Sequence, residues 1–261
     1  MFIRDILHIL EAIAPPHLQE SYDNAGLIIG HPDQVCTGVL FTLDSTEAVV
    51  REARQKGCNL IVAHHPIVFR GLKRLNGNNY VERTVIEAIR HEVAIYAIHT
   101  NLDNVLYQGV NAKIAEKMGL RDARILAPRP GLTDVGSGLI GSLPEPVSET
   151  RFLQLLKDRF HCGIVRHTPL LGRPVQRVAV CGGAGSFLVP EALRANVDVF
   201  VSADFKYHEF FDADSRILIA DIGHYESEQF TNELLFGLVF EKFPTFALHL
   251  SNTATNPVHY F

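Results

Sequence analysis

The sequence predicts an α/β fold in which two domains, each built on a mostly parallel or mixed central sheet, share one chain of 261 residues. Short apolar runs alternate with amphipathic segments of helical period, which is typical of βαβ units. A cluster of proline and glycine interrupts this alternation near the middle of the chain. Three of the apolar runs end at residues that bind metals, and ligands gather at the carboxyl ends of strands in such folds.

The first elements follow from hydrophobic spacing and from residues that break helices. Ile3, Ile6, Leu7 and Leu10 share one face of a helix over 3–14, and the prolines that follow end it. Further along, the pattern predicts strands at 39–43, 60–63 and 94–98, and helices at 45–56, 80–91 and 110–118.

The run Pro128-Arg129-Pro130-Gly131 indicates a domain boundary, and a second loop is predicted at 143–146. The later elements are predicted as helices at 149–160, 189–195 and 225–242, and strands at 175–181, 198–202, 217–221 and 245–250. The predicted domains are a metal-binding α/β domain of residues 1–128 plus 221–261, and an inserted α/β domain of residues 129–220.

Composition excludes several classes of protein. A hydrophobic fraction of 47% against 20% charged residues argues against overall disorder. A net charge of -5 argues against a general nucleic-acid or membrane-surface binder. The 4 cysteines form no CxxC pair, and no apolar run has the length of a membrane span or a signal sequence. We therefore expect a cytoplasmic protein.

The candidate site consists of nitrogen and oxygen donors from distant parts of the chain. His64 and His65 follow one predicted strand, Asp103 follows the next, and His224 and Glu228 follow a third. If the three strands are neighbours in one sheet, these five residues converge. Three imidazoles and two carboxylates are enough ligands for two metal ions, and Asp103 or Glu228 is placed to bridge them.

Each of these residues also has an ordinary structural explanation. Successive side chains of a strand point to opposite faces, so the His64-His65 pair either serves two separate ions or caps a core strand by hydrogen bonds. Asp103 fits a turn cap. His224 and Glu228 share one helical face, as they also would on a solvated helix. His99 is better placed to support a ligand by hydrogen bonding than to bind metal itself.

Mixed imidazole and carboxylate ligands suit Zn, Fe, Mn, Ni or Co without identifying one of them. Two such divalent ions would activate a shared water, so hydrolysis is the natural reaction class. Phosphoester hydrolysis belongs to this class because paired ions stabilise both the attacking and the leaving oxygen. Glu228 and Asp103 are the candidate catalytic residues.

Three further motifs are open to a functional or a structural interpretation. A basic cluster of Arg70, Lys73 and Arg74 fits a phosphate contact, but a solvated loop is the more common arrangement. The turn at Gly182-Gly183 fits either an anion site or a tight structural turn, and we favour the turn. A polar group follows a strand of the second domain and is placed to line a cleft; it comprises Asp204, Tyr207 and His208.

Several of these motifs together resemble one known family. They are Ser21–Leu27, His64–Pro66, His99–Asp103, Cys181–Gly183, Gly223–Glu228 and Asn256-Pro257. Their order is that of the Nif-three-like family, whose members are commonly named GTP cyclohydrolase I type 2 homologues. Tyr22 stands where the family often has Trp, and Gln108 replaces the first glycine of a Gly-Gly-Val-Asn pattern.

The resemblance implies two α/β domains and a dinuclear metal centre with His64, His65, Asp103, His224 and Glu228 as ligands. It also implies a toroidal homohexamer and a reaction in which the guanine ring of GTP is opened with loss of formate. A hydrolase acting on a nucleotide or related small molecule is therefore the leading hypothesis. The alternative is a hexamer without enzymatic activity that handles metal or serves as a scaffold.

Overall fold

The computed structural model describes residues 1–261 and confirms the mixed α/β class. Its helices are α1 (Ile3–Ile13), α2 (Glu47–Gln55), α3 (Tyr80–Arg90), α4 (Thr100–Asp103), α5 (Val110–Met118), α6 (Glu149–Phe160), α7 (Val189–Arg194), α8 (His224–Glu228) and α9 (Thr231–Lys242). Its strands are β1 (Gly26–Ile29), β2 (Val39–Thr42), β3 (Leu60–Ala63), β4 (Ala94–Ala97), β5 (Arg121–Pro128), β6 (Gly136–Val147), β7 (Arg166–His167), β8 (Val175–Ala184), β9 (Val199–Ala203), β10 (Leu218–Asp221) and β11 (Leu248–Leu250).

The chain divides into two compact units. Unit 1 comprises Met1–Leu102 with Thr231–Pro257, and unit 2 comprises Asp103–Phe230 with Val258–Phe261. These bounds differ from the predicted domain boundaries at 128 and 221. The reason is packing, since β5 pairs with β6, and α5 and α8 pack against β8, which ties these three elements to unit 2.

Unit 1 has a five-stranded sheet in the order β1-β4-β3-β2-β11. All pairs except β1 with β4 are parallel, as the alternation of strand and helix predicted. Strands β2, β3 and β4 are buried along their whole length, which explains their continuous apolar sequence. Because Ala63 is in register with Ala97, the residues that follow β3 and β4 emerge at the same edge of the sheet.

Unit 2 has a six-stranded mixed sheet in the order β5-β6-β8-β9-β10-β7. Strands β8, β9 and β10 are parallel, and the rest pair antiparallel. The predicted loop at 143–146 instead lies within β6. Its two prolines are tolerated because pairing with β8 is interrupted between Ser142 and Val147.

The predicted helix 225–242 is two helices, α8 and α9. None of the helices combines the length and the apolar character needed to cross a membrane.

Glu52 of α2 fixes the chain that follows β11. Its carboxylate accepts hydrogen bonds from Ser251 Oγ at 2.6 Å, Asn252 N at 2.7 Å and Thr253 Oγ1 at 2.7 Å. It also pairs with Lys56 at 2.9 Å. Burial opposes the charged form, but these contacts outweigh it and lower the pKa of Glu52 to about 2. The ionised carboxylate therefore stabilises the fold.

We expect Glu52→Gln to lower the free energy of unfolding at pH 7 by about 1–3 kcal/mol, because charged hydrogen bonds are lost. Since the folded pKa lies below the usual value of 4.5, this stabilisation is complete above pH 4.5 and is lost as the pH falls towards 2. Urea unfolding at pH 7, 5 and 3 measures it, with Glu241→Gln on the exposed face of α9 as control. A difference between the wild type and Glu52→Gln that did not shrink at pH 3 would contradict the assignment.

Candidate metal centre

Three imidazoles cluster at one edge of the unit 1 sheet. His64 and His65 follow β3, His99 lies two residues beyond β4, and ligand nitrogens of all three lie within 4.8 Å of one another. The ring centroids of His64 and His65 are 4.8 Å apart. The opposite-face rule does not separate these two rings because both residues lie past the end of β3, in a bend.

Each ring of this cluster has its Nδ1 engaged by an oxygen acceptor. His64 Nδ1 donates to Ile98 O at 2.8 Å, and His65 Nδ1 donates to Asp44 Oδ1 at 2.8 Å. His99 Nδ1 donates to Asp23 Oδ1 at 2.7 Å. An N–H at Nδ1 leaves the lone pair of a neutral imidazole on Nε2, which is the tautomer that binds metal through Nε2.

The two carboxylates that orient these rings are themselves held as anions. Burial opposes ionisation of Asp44, but its hydrogen bond with His65 and a second one from Thr255 at 2.7 Å outweigh burial and lower its pKa. Burial of Asp23 is likewise outweighed by His99 and Thr100, and its pKa falls to about 2. Both groups therefore stay charged and keep their histidine partners oriented.

In unit 2, α8 brings an imidazole and a carboxylate together across one helical turn. His224 Nε2 lies 3.1 Å from Glu228 Oε2, and Glu228 is only 3% exposed. His224 Nδ1 contacts Asp204 Oδ2 at 2.7 Å. Two atoms that bind the same ion, each about 2.0–2.2 Å from it, are expected to lie about as far apart as these two do.

The His224 ring lies in a strongly negative environment. Burial disfavours its charged form, but the nearby carboxylates of Glu228 and Asp204 outweigh burial and raise the pKa of His224 to about 11. The two carboxylates therefore favour a positive charge at the ring. A proton supplies it in the chain alone, and a bound metal cation would also supply it, so the residues present fit a cation.

Asp103, the last residue of α4, belongs to the same part of unit 2. One of its carboxylate oxygens lies within 4.8 Å of one from Glu228. Asn111 ties this region together, because its side chain donates to Asp103 O at 3.0 Å and accepts from Gly182 N at 2.9 Å. The structure thus groups Asp103, His224 and Glu228 in unit 2, and His64 and His65 with His99 in unit 1.

Gly183 allows the carboxylate and imidazole of α8 to approach β8. It has a φ of +59°, and a Cβ at this position would lie 2.5 Å from Glu228 Oε1 and 3.1 Å from His224 Cε1. The space beside Gly183 is therefore filled by Glu228, which argues against an anion site there. The predicted tight turn at Gly182-Gly183 is wrong, because both glycines lie within β8, where its pairing with β9 shifts register between Val180 and Ala184.

Sequence reasoning did not assign the partners Asp44 and Asn111, and it placed Asp204 only as a residue lining a cleft. A usable signal existed for two of them, since Asp44 lies two residues beyond β2 and Asp204 directly follows β9. Both obey the same strand-end rule that selected the ligands. Arg70, Lys73 and Arg74 lie in an exposed segment, as do Tyr207 and His208.

We expect Asp204→Asn and Asp44→Asn each to weaken metal binding about 10- to 100-fold, because an amide orients the imidazole less strongly and does not enhance its basicity. Competition with a chromophoric chelator measures the affinity. Asp158→Asn, on the exposed face of α6, is the matched control. Unchanged affinity in both variants would show that these carboxylates do not support metal ligands.

The fold and the clustered donors define a class of two-unit α/β proteins with histidine and carboxylate groups suited to metal ions. The chain belongs to the Duf34/NIF3 (NGG1p interacting factor 3) family, whose model matches residues 1–257.

Other proteins are similar to this chain over most or all of its length. A Lactococcus lactis protein named GTP cyclohydrolase 1 type 2 homolog is 33% identical over 99% of both chains. A Clostridium perfringens protein of the same name is 31% identical over 87% of both. A Staphylococcus aureus protein of known crystal structure superposes with a TM-score of 0.94 at 29% identity, covering 100% of this chain and 99% of that one. A Bacillus cereus protein related to NIF3 has the same fold, with a TM-score of 0.93 at 24% identity and the same coverage.

Proposed function

We propose that the protein is a dinuclear metal-dependent hydrolase acting on a nucleotide or a related small molecule. Two divalent ions, drawn from Zn, Fe, Mn, Ni and Co, would be held by the five predicted ligands, His64, His65, Asp103, His224 and Glu228. The observation that carries the proposal is the fixed orientation of the rings. His64, His65 and His224 each have Nδ1 engaged by an oxygen, which directs Nε2 to a ligand.

The bound ions would supply Lewis acidity and lower the pKa of a water molecule. The chain's own contribution is to hold the donors and to move protons. Asp44 and Asp204 keep the rings of His65 and His224 in the binding orientation. The carboxylates of Asp103 and Glu228 would accept a proton from the attacking water.

The names of the relatives support opening of the guanine ring of GTP as one candidate reaction. Phosphoester hydrolysis is the second candidate, because paired ions stabilise both the attacking and the leaving oxygen. Ring opening requires attack of one water at ring carbon C8 with cleavage of the C8–N9 bond, which leaves a formamide on N7. A second water then cleaves the C8–N7 bond of this formamide and releases formate. Both reactions are water-dependent substitutions of the kind that a pair of Lewis-acidic ions promotes.

The test is to load purified protein with each of the five metals and to incubate it with GTP, other nucleotides and a phosphodiester. We expect saturable formate or phosphate release that depends on protein and metal. Full metal loading with every reaction at background would refute hydrolysis of these substrates. It would support the metal-handling or scaffold alternative instead.

We further propose that the protein works in the cytoplasm as a homohexamer. All four cysteines are buried and free, which suits a reducing compartment. Large aromatic side chains are strongly exposed in unit 2, with Tyr207 at 73% and Phe211 at 67%, and exposed aromatics are typical of interfaces. Light scattering of the purified protein tests the assembly.

A further inference from the structure

The short helix α8, which carries two of the predicted ligands, cannot hold its position by itself. It has 5 residues, and no side chain caps its N-terminus. Helices this short are unstable without packing against the rest of the fold. The arrangement of His224 and Glu228, whose Nε2 and Oε2 atoms lie 3.1 Å apart, therefore depends on contacts that fix both ends of α8.

Polar contacts within unit 2 fix the C-terminal end of α8. Gln229 directly follows the helix, and its side chain donates to Phe160 O, at the end of α6, at 2.9 Å. The Ser227 hydroxyl accepts from Gly183 N at 3.0 Å and donates to His224 O at 2.8 Å. These bonds hold the second half of α8 against the end of α6 and against β8.

An aromatic ring from a distant part of the sequence lies at the N-terminal end of α8. Residues 258–261 belong to unit 2, although the segment before them belongs to unit 1. Tyr260 lies beside two glycines. A Cβ on Gly163 would be 3.4 Å from Tyr260 Cδ2, and a Cβ on Gly223 would be 3.4 Å from the Tyr260 hydroxyl oxygen. The side chain therefore reaches from the loop after α6 to the residue that precedes α8.

A buried carboxylate packs at the same place. Glu226 is 8% exposed, and a Cβ on Gly223 would collide with its Oε2. Glu226 Oε2 and the Tyr260 hydroxyl thus lie beside the same point at the start of α8. Burial, and then the negative charges of Glu226 and Asp221, raise the pKa of Tyr260. The hydroxyl therefore stays neutral, and the ring covers this acidic region without adding charge to it.

We propose that Tyr260 is a positioning residue for the unit 2 ligands. Its ring packs against Gly163 and Gly223 and holds the first turn of α8 in the orientation that keeps His224 Nε2 beside Glu228 Oε2. This inference rests on the proposed function, because it takes His224 and Glu228 as metal ligands. Tyr260 itself is not a candidate ligand.

Zn²⁺ affinity of the full chain, measured by competition with a chromophoric chelator, tests the proposal. We expect Tyr260→Ala to weaken Zn²⁺ binding about ten-fold, as is typical when a residue that only orients a metal ligand is lost. Tyr260→Phe should restore the wild-type affinity, because it keeps the ring. Phe261→Ala, which removes a neighbouring and fully exposed ring, is the matched control.

Amide hydrogen exchange of the metal-free protein separates positioning of α8 from general stability. The Tyr260 side chain is 52% exposed, so its loss should affect the fold only locally. We expect faster exchange of residues 223–229 in Tyr260→Ala, with unchanged exchange in the unit 1 strands. Deletion of residues 258–261 should reproduce both effects. Faster exchange spread evenly over both units would assign Tyr260 to general stability and contradict the proposal.

Wild-type Zn²⁺ affinity in Tyr260→Ala, or an equal loss in Phe261→Ala, would overturn the proposal. An equal loss in Tyr260→Phe would assign the effect to the hydroxyl and contradict the role of the ring. Failure of the hydrolase gives a different result. Zn²⁺ binding that depends on Tyr260, without turnover of any tested substrate, refutes the hydrolase alone. Turnover by the wild type, with wild-type Zn²⁺ affinity in Tyr260→Ala, refutes the positioning role alone.

Discussion

Glu228→Ala is expected to abolish metal-dependent turnover and to weaken metal binding by more than about 100-fold. This is more than the loss expected when a residue that only orients a histidine ligand is replaced. Glu228 is buried, its Oε2 lies 3.1 Å from His224 Nε2, and Asp103 contributes a carboxylate oxygen within 4.8 Å. The substitution removes the carboxylate that would share an ion with the His224 ring. The remaining ring keeps Asp204 as its partner, so the helix start should remain in place.

The measurement is metal content by elemental analysis, with chelator competition for affinity and circular dichroism for the fold. Glu233→Ala, an exposed glutamate on α9, is the control for removal of a negative charge. Wild-type metal stoichiometry in Glu228→Ala would remove Glu228 from the ligand set. Loss of metal from Glu228→Ala, together with a metal-loaded wild type that turns over none of the tested substrates, would favour the metal-handling alternative.

The predictable part of the fold is the part that local pattern controls. Strands β2, β3 and β4 are buried on both faces, so their apolar runs stand out from the amphipathic helices α2 and α3. Strand β5 is different. Residues 121–124 are all exposed, and their sequence Arg-Asp-Ala-Arg carries no apolar signal. Its strand character comes from pairing with β6, a tertiary effect that a local pattern does not contain.

The candidate ligands were selected because strand ends are marked twice, by an apolar run and by the polar residue after it. The expectation that the three strands are neighbours in one sheet is wrong, because β3 and β4 belong to the unit 1 sheet and β10 belongs to the unit 2 sheet. The partners of the candidate ligands were harder, since an aspartate after a strand is also a common turn residue. The left-handed backbone of Asp204, at a φ of +58°, shows that both descriptions apply, because the residue makes the turn and also orients His224. Gln108 similarly adopts a φ of +57°, which explains why a glycine suits that position in the family pattern.

Gly183→Ala is expected to disrupt the His224–Glu228 pair of unit 2, although Gly183 itself is not a candidate ligand. The new methyl group would lie 2.5 Å from Glu228 Oε1, so either the carboxylate or β8 must move. The left-handed backbone adds about 1–2 kcal/mol of strain for any residue with a Cβ. We therefore expect a lower free energy of unfolding and metal binding weakened at least about ten-fold, since displacement of Glu228 separates it from His224.

Gly172→Ala isolates the contribution of strain, because Gly172 has a φ of +71° in the same unit and a Cβ there would meet no atom within 4 Å. It should lose similar stability to strain alone and keep the wild-type metal affinity. Adding Gly183→Ala to Glu228→Ala should cost less stability than adding it to the wild type, because the carboxylate that it would contact is gone. Additive effects on unfolding, or wild-type metal affinity in Gly183→Ala, would mean that β8 does not hold Glu228 against His224.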